Sequence, residues 1–339
     1  MVLDEKYLQH VISTRSPENP ERVRKLYHTV RDLFGSNCHF FNGRGLDDED
    51  LRRVHSSFYL DQIREHSARP NPFSYDRDTY LMAKSLEVAR WAAGGCLGLA
   101  DRVMQQELDT GFALIRPPGH HAEAGRGMGF CILNNVAITA KYLQRIYGLN
   151  RILIVDFDVH HGNGTQEIFY DSSEVLFLSL HQHNIFPFSG DAAETGVDGG
   201  MGFNINVPVF PQFGDLEYTF LLGRLLQVVT EQFLPQIILV SAGYDGHRDD
   251  NISGILLSTE WFALAAKMLR QYANEVCNGK LLFILEGGYN PDSLEASVVS
   301  TMQGILDHGA SKVGVMHSDR AAPILRNHPM NDYWSIGTI

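Results

Sequence analysis

The stretch Arg151-Ile-Leu-Ile-Val-Asp-Phe-Asp-Val-His-His-Gly-Asn-Gly-Thr165 narrows the choice of fold more than any other. Residues 152–155 are an unbroken apolar run, mostly β-branched, the pattern of a strand covered on both faces in a parallel sheet. Straight after it the chemistry changes. Side chains along an extended chain alternate, so Asp156, Asp158 and His160 share one side and Phe157 and Val159 the other. Gly162 and Gly164 then let the backbone turn sharply away. Two carboxylates and an imidazole at the C-terminal end of a buried strand stand where open α/β sheets build their sites. Crowded carboxylates in an apolar setting repel each other and lose hydration, so they require a cation. Mixed nitrogen and oxygen donors suit zinc. The plainer alternative, a cap on the next helix, needs one carboxylate rather than an alternating row.

The rest of the chain alternates apolar strand runs with helical spacing. Strands are expected over 112–115, 175–180, 203–207, 237–240 and 281–285. Helical spacing starts at Val23, Leu26, Val30 and Leu33 and recurs over 46–65, with a break near Ser56-Ser57. Further helices are expected over 80–106, 136–147, 216–234 and 261–276, and again from Pro291. Residues 1–20 read as polar and irregular, with a loop over 15–20, and the tail from Gly309 is weakly patterned. Alternating strands and helices without an internal repeat or linker predict an α/β fold. It is expected to be one domain over 1–339, a central parallel sheet with helices on both faces. Parallel strands finish on one edge, so His120 and His121, Asp156, Asp158 and His160, Asp245, and Tyr289 are expected to converge.

Lys and Arg total 28 against 40 Asp and Glu, a net charge of −12, and the basic residues are scattered. That argues against direct nucleic-acid binding while leaving a cationic substrate open. Cys38, Cys96, Cys131 and Cys277 match neither a disulfide framework nor a Cys-x-x-Cys metal site, so reduced thiols are expected. The opening Met-Val-Leu-Asp-Glu-Lys lacks the apolar core of a signal peptide, and no apolar run reaches the ~20 residues of a membrane span. The expectation is a soluble cytoplasmic protein.

Arg116-Pro-Pro-Gly-His-His-Ala122, Gly129-Phe-Cys131, Asp156-Phe-Asp-Val-His-His-Gly-Asn-Gly-Thr165, Ser241-Ala-Gly-Tyr-Asp245 and Glu286-Gly-Gly-Tyr289, in this order, resemble the zinc-dependent histone deacetylase superfamily. That group includes acetylpolyamine amidohydrolases and bacterial deacetylase-like amidohydrolases. The resemblance runs from about residue 15 to about 305 and starts with Pro17-Glu-Asn-Pro-Glu-Arg22. It implies the arginase/deacetylase fold and one Zn2+ held by Asp158, His160 and Asp245. It implies catalytic roles for His120, His121 and Tyr289, with Asp156 orienting His120. It also implies a place beside His121 for Asn163, which stands where some members have Asp and class II members have Asn. The resemblance further implies a substrate tunnel walled by Gly129, Phe130, Phe186 and Ile252. Arg22 would lie in a channel beneath the metal. Asp156, Asp158, His160, Ser179 and Leu180 would hold a monovalent cation, K+. Cys131 reads as a small buried apolar residue rather than a reactive thiol.

The implied activity is removal of acetyl or other acyl groups from an acylated lysine peptide or a small acylated amine. An acetylpolyamine deacetylase is one alternative, and a non-catalytic acyl-lysine reader another, though a reader would not need the whole set. A guanidino hydrolase usually needs two metals and more carboxylates. Two positions depart from the family pattern. Ser16 stands where the family often has His. Ile252 stands where a polyamine-selective relative has Glu, with Asp249 and Asp250 close by.

Overall fold

Apolar runs become strands wherever helices cover both sides. The computed structural model describes all residues except 12–15, 308, 310–312, 315 and 339, so Arg15, which opens the loop expected over 15–20, lies outside the described residues. A short antiparallel hairpin, β1 (Phe73–Ser74) and β2 (Tyr80–Leu81), precedes the main sheet. The main sheet holds β3 (Thr110–Ala113), β4 (Ile152–Asp156), β5 (Val175–Gln182), β6 (Asn204–Val209), β7 (Ile237–Ala242) and β8 (Leu281–Leu285). All six run parallel, in the order β3-β8-β7-β4-β5-β6. Every residue of β4, β5, β7 and β8 is buried, as the continuous apolar runs demand.

The helices are α1 (Glu21–Phe34), α2 (Asp48–Arg52), α3 (Ser57–Ser67), α4 (Ser85–Met104), α5 (Asn135–Tyr147), α6 (Asn163–Phe169), α7 (Asp215–Phe233), α8 (Thr259–Cys277), α9 (Pro291–Leu306) and α10 (Ala322–Arg326). Helices α4, α5 and α6 pack on one another and cover one face. Helices α7, α8 and α9 pack on one another and cover the other, with α1 against α9. The expected α/β architecture with helices on both faces is present. The chain after β4 crosses by α6 on the first face, whereas the chain after β7 crosses by α8 on the second. Strands β4 and β7 are neighbours, pairing Asp156 with Ser241. The crevice between their ends is therefore the topological switch point, where open α/β sheets bind ligands.

Several elements differ from the sequence reading. The helix expected over 80–106 starts only at Ser85, because Tyr80 and Leu81 pair with Ser74 and Phe73. The region 46–65 divides into α2 and α3, with Ser56 accepting from the Tyr59 N–H as the cap of α3. Strand β5 runs on to Gln182, which puts His181 inside it rather than past its end. The start of the chain is not irregular: Val2 donates to Phe112 O (2.9 Å) and accepts from Leu114 N (2.8 Å), beside β3. The described part of the tail is docked too. Ala322, Leu325, Met330 and Ile336 are buried, and Trp334 donates from its ring N–H to Gly202 O at 2.6 Å. Both segments are too short to show a periodicity.

Candidate metal centre and active site

Strand β4 ends at Asp156, and the next residues form a loop folded by its own carboxylates. Asp156 accepts from the Asp158 N–H (3.1 Å), and Asp158 in turn from the His160 N–H (2.9 Å). These local bonds extend the expected alternation beyond the strand. Phe157 is sent to the other side, edge-on to Trp261 (5.8 Å between ring centres). Asp245, past the end of β7, closes the group. One oxygen accepts from the Val159 N–H (3.1 Å), and the other lies 3.0 Å from His160 Nδ1. His160 Nδ1 is also 3.1 Å from Asp158. One donor atom from each of Asp158, His160 and Asp245 falls within 4.8 Å of the others, and all three residues are buried.

This group fits a small cation. Backbone approaches both carboxylates so closely that a Cβ on Gly243 would stand 2.1 Å from Asp158 Oδ2, and one on Gly287 2.3 Å from Asp245 Oδ2. Burial and the Asp158 charge push Asp245 up to about 6. Burial opposes ionisation of Asp158 too, yet His120 and His160 hold it well below the carboxylate range. Burial alone would lower His160, but the bonds to Asp158 and Asp245 outweigh it and raise it to about 10. The pocket thus draws positive charge to these three side chains.

His120 and His121 follow β3 and lie side by side, ring centres 4.0 Å apart. His120 Nδ1 meets the Asp156 carboxylate at 3.0 Å, whereas His121 Nδ1 meets the Asn163 amide oxygen at 2.8 Å. The partners set opposite electrostatics. Burial disfavours charge on His120, but Asp156 and then Asp158 raise it to about 10. Burial, with the charges of His120 and His160, drives His121 well below the ordinary histidine range.

Tyr289 stands past β8, with its ring 5.4 Å from that of Phe130 and over the Arg22 guanidinium at 4.7 Å. Its N–H and that of Asn290 both donate to Asp250 Oδ2, at 2.6 and 3.1 Å. Phe186 lies edge-on to His121, ring centres 5.0 Å apart. Gly129 has a left-handed φ of +54°, and a Cβ there would stand 2.5 Å from the His121 ring and 2.8 Å from Phe186. Asp76 and Thr79, in the turn between the hairpin strands, accept from the Gly129 and Phe130 N–H groups. Gly129, Phe130 and Phe186 are therefore brought to the paired histidines and Tyr289. Ile252 is half-buried against the core, one residue before Ser253, whose hydroxyl donates to Asp245 O at 3.1 Å. Ser179 pairs with Asp156 across the strands, and its hydroxyl meets His181 Nδ1 at 2.9 Å.

A family model for the histone deacetylase domain matches residues 16–305. The chain belongs to the histone deacetylase family. It is 37% identical over 313 residues to histone deacetylase 15 of Arabidopsis thaliana, covering 89% of this chain and 56% of that protein. A probable deacetylase of Archaeoglobus fulgidus is 36% identical over 312 residues, covering 90% of this chain and 84% of the relative. The crystal structure of the HDA15 HD domain superposes with a TM-score of 0.84 at 36% identity, covering 89% of each chain. The chain spans about half the length of the plant deacetylases it matches.

Against this site packs a charged layer in which the motifs gave a place to Arg22 alone. Arg22, expected in a channel beneath the metal, is buried. It donates to Gly288 O (2.6 Å), Glu286 O (2.7 Å) and Glu18 (3.2 Å). Arg116 grips both oxygens of Glu18, at 2.8 and 2.7 Å. Burial opposes the Glu18 charge, but the two arginines, Arg116 first, hold its carboxyl at about 2. Glu286 accepts from the Gly119 and His120 N–H groups, at 2.6 and 3.1 Å, and burial raises it to about 7. Buried charges on motif residues were the signal: Glu18, Arg116 and Glu286 stand inside motifs yet outside any apolar pattern. Cys131 is buried with its thiol donating to Gly129 O (3.3 Å), and burial pushes it well above 9, as for an inert thiol.

Proposed function

We propose that this chain is a zinc-dependent amidohydrolase that removes acetyl or other acyl groups from an acyl-lysine or related amine. One observation carries the reading: the buried Asp158, His160 and Asp245 group stands beside two histidines with unlike partners, under a mouth lined by Phe130 and Tyr289. Asp158, His160 and Asp245 would hold the zinc, two carboxylates matching its charge and three protein ligands leaving a position open. When bound, zinc supplies Lewis-acid chemistry, lowering the pKa of water to about 7 and polarising an amide carbonyl.

The chain's own residues do the rest. His121, hydrogen-bonded to a neutral amide, keeps a lone pair for the attacking water's proton and returns that proton to the leaving amine. His120, held by a carboxylate, keeps its charge and steadies the negative charge growing on the carbonyl oxygen. The Tyr289 hydroxyl donates to the same oxygen. Gly129, Phe130 and Phe186 wall a slot for a slender alkyl chain. We read Asp156, Asp158, His160, Ser179 and Leu180 as holders of a monovalent cation, a reading supported by the pairing of Asp156 with Ser179. The test is metal analysis followed by turnover of an acetyl-lysine peptide, a trifluoroacetyl-lysine peptide, N-acetylputrescine and N-acetylspermidine. No turnover of any of them by zinc-loaded protein would sink the proposal.

A further inference from the structure

The partner of His121 is an amide, and an amide does not by itself fix a histidine's proton. Its oxygen accepts and its NH2 group donates, in nearly the same shape, so a half-turn reverses what it asks of the ring. Asn163 is not free to turn. Its Nδ2 donates to Glu123 Oε1 at 2.8 Å and to Met128 Sδ at 3.2 Å. The Glu123 carboxylate, gripped by Arg126, turns an accepting oxygen to the amide, so the NH2 must face it and Oδ1 must face His121 Nδ1. His121 must then carry its proton on Nδ1, leaving the Nε2 lone pair as the base.

Glu123 is itself held in place. Arg126 Nε donates to its Oε2 at 2.8 Å. Its backbone N–H donates to Arg126 O at 3.0 Å, and its C=O meets His55 Nδ1 at 3.0 Å. His120 needs no such third residue, because both oxygens of Asp156 accept.

We propose that Glu123 is a positioning residue for the hydrolytic reaction, setting the tautomer of His121 by locking the Asn163 amide. This rests on the reading of His121 as the general base. Removing the Glu123 carboxylate frees the amide to present its NH2 to Nδ1, which puts the ring proton on Nε2 and disables the base.

The test compares wild type, Glu123→Ala, Asn163→Asp and the double variant on an acetyl-lysine peptide, with zinc content measured throughout. Glu123→Ala should lower kcat about 10- to 100-fold, with KM and zinc content unchanged. A carboxylate at position 163 only accepts, so it fixes the tautomer unaided, and it stands against the Glu123 charge. In the Asn163→Asp background, adding Glu123→Ala should therefore leave kcat unchanged or raise it. An equal loss in both backgrounds, or none in the wild-type background, overturns the proposal. The 15N shifts of the His121 ring in metal-free protein give a readout independent of turnover. They should show Nδ1 protonated in wild type and a mixture of tautomers in Glu123→Ala; identical spectra overturn the proposal. A wild type without turnover but with the expected shifts would reject the hydrolase reading and leave the tautomer lock standing.

Discussion

The floor of the site and its mouth are built in opposite ways. On the floor, backbone N–H groups from separate segments tie down the carboxylates: Asp156 takes Asp158, Asp158 takes His160 and Gly287, and Asp245 takes Val159. Their carbon frames are pressed by Gly243 and Gly287, so nothing there can shift without moving strand ends. The mouth is held by the backbone of loops instead. Phe130 sits at a left-handed φ of +68°. The difference separates two jobs. A reacting centre needs fixed charges, which only a buried, hydrogen-bonded frame supplies. An entrance needs area and shape, which aromatic side chains on loops supply.

The comparison breaks most decisively at the floor. Asp158→Ala and Asp245→Ala should each lose most of the bound metal and all measurable turnover. Truncation leaves the remaining charges buried and unpaired, a cost of about 3–5 kcal/mol. Metal content by mass spectrometry, on protein whose circular dichroism is unchanged, checks this. Stoichiometric zinc in either variant would show that the metal is held elsewhere.

Tyr289 is where floor and mouth share one residue. Its backbone is fixed by Asp250 while its ring lines the entrance against Phe130. Tyr289→Phe keeps the ring and removes only the hydroxyl, so zinc and fold should persist while kcat falls about 10²–10³-fold, as for loss of one oxyanion donor. An unchanged kcat on an unactivated acetyl amide would assign the residue to the mouth alone.

Gly129 joins the two regions from the other side, against both His121 and Phe186. A methyl group there meets the ring of the proposed base and also demands a left-handed backbone of a non-glycine residue, costing about 1–3 kcal/mol. Gly129→Ala should lower kcat/KM by about 10- to 100-fold with full metal content. A variant with wild-type kcat/KM would mean that the wall yields freely and that the mouth is not anchored on the floor.

The same contrast decides what was legible in the sequence. The floor could be read because its residues are two apart at the end of an apolar run, and β4 runs from Ile152 to Asp156 as that run predicts. His120, His121, Asp245 and Tyr289 could be read because parallel strands deliver their ends to one edge. The supports could not. Asp250 lies five residues past Asp245 with no pattern around it, and it serves by accepting two backbone N–H groups across 39 and 40 residues. The clamp of Arg116 on Glu18 spans 98 residues. The hairpin behind Phe130 was hidden because a pair of two-residue strands has no detectable period, so Tyr80 and Leu81 read as helix. Long-range pairing of polar groups leaves no periodic trace, whereas burial does.

The smallest expected effect lies at the outer edge of the mouth, in the choice between a lysine chain and a polyamine. A second ammonium on the substrate gains only where a carboxylate is free to meet it. Asp250, the nearer acidic candidate in sequence, is spent on the Tyr289 and Asn290 N–H groups and is buried. Asp249 remains, with a side chain 69% exposed and 3.8 Å from His247. An exposed carboxylate contributes about 0–1 kcal/mol to a pair, less in salt. The net charge of −12 pulls polycations too, but that field is screened over about 8–10 Å at physiological ionic strength. An N-acetyl-lysine peptide should therefore be turned over at least as well as N-acetylputrescine, and Asp249→Asn should change kcat/KM for N-acetylputrescine by no more than about threefold. Measuring both substrates at physiological and at low salt checks the argument. A large preference for N-acetylputrescine that survives physiological salt and disappears in Asp249→Asn would make this one exposed carboxylate a gate, and the mouth would then select by charge as well as by shape.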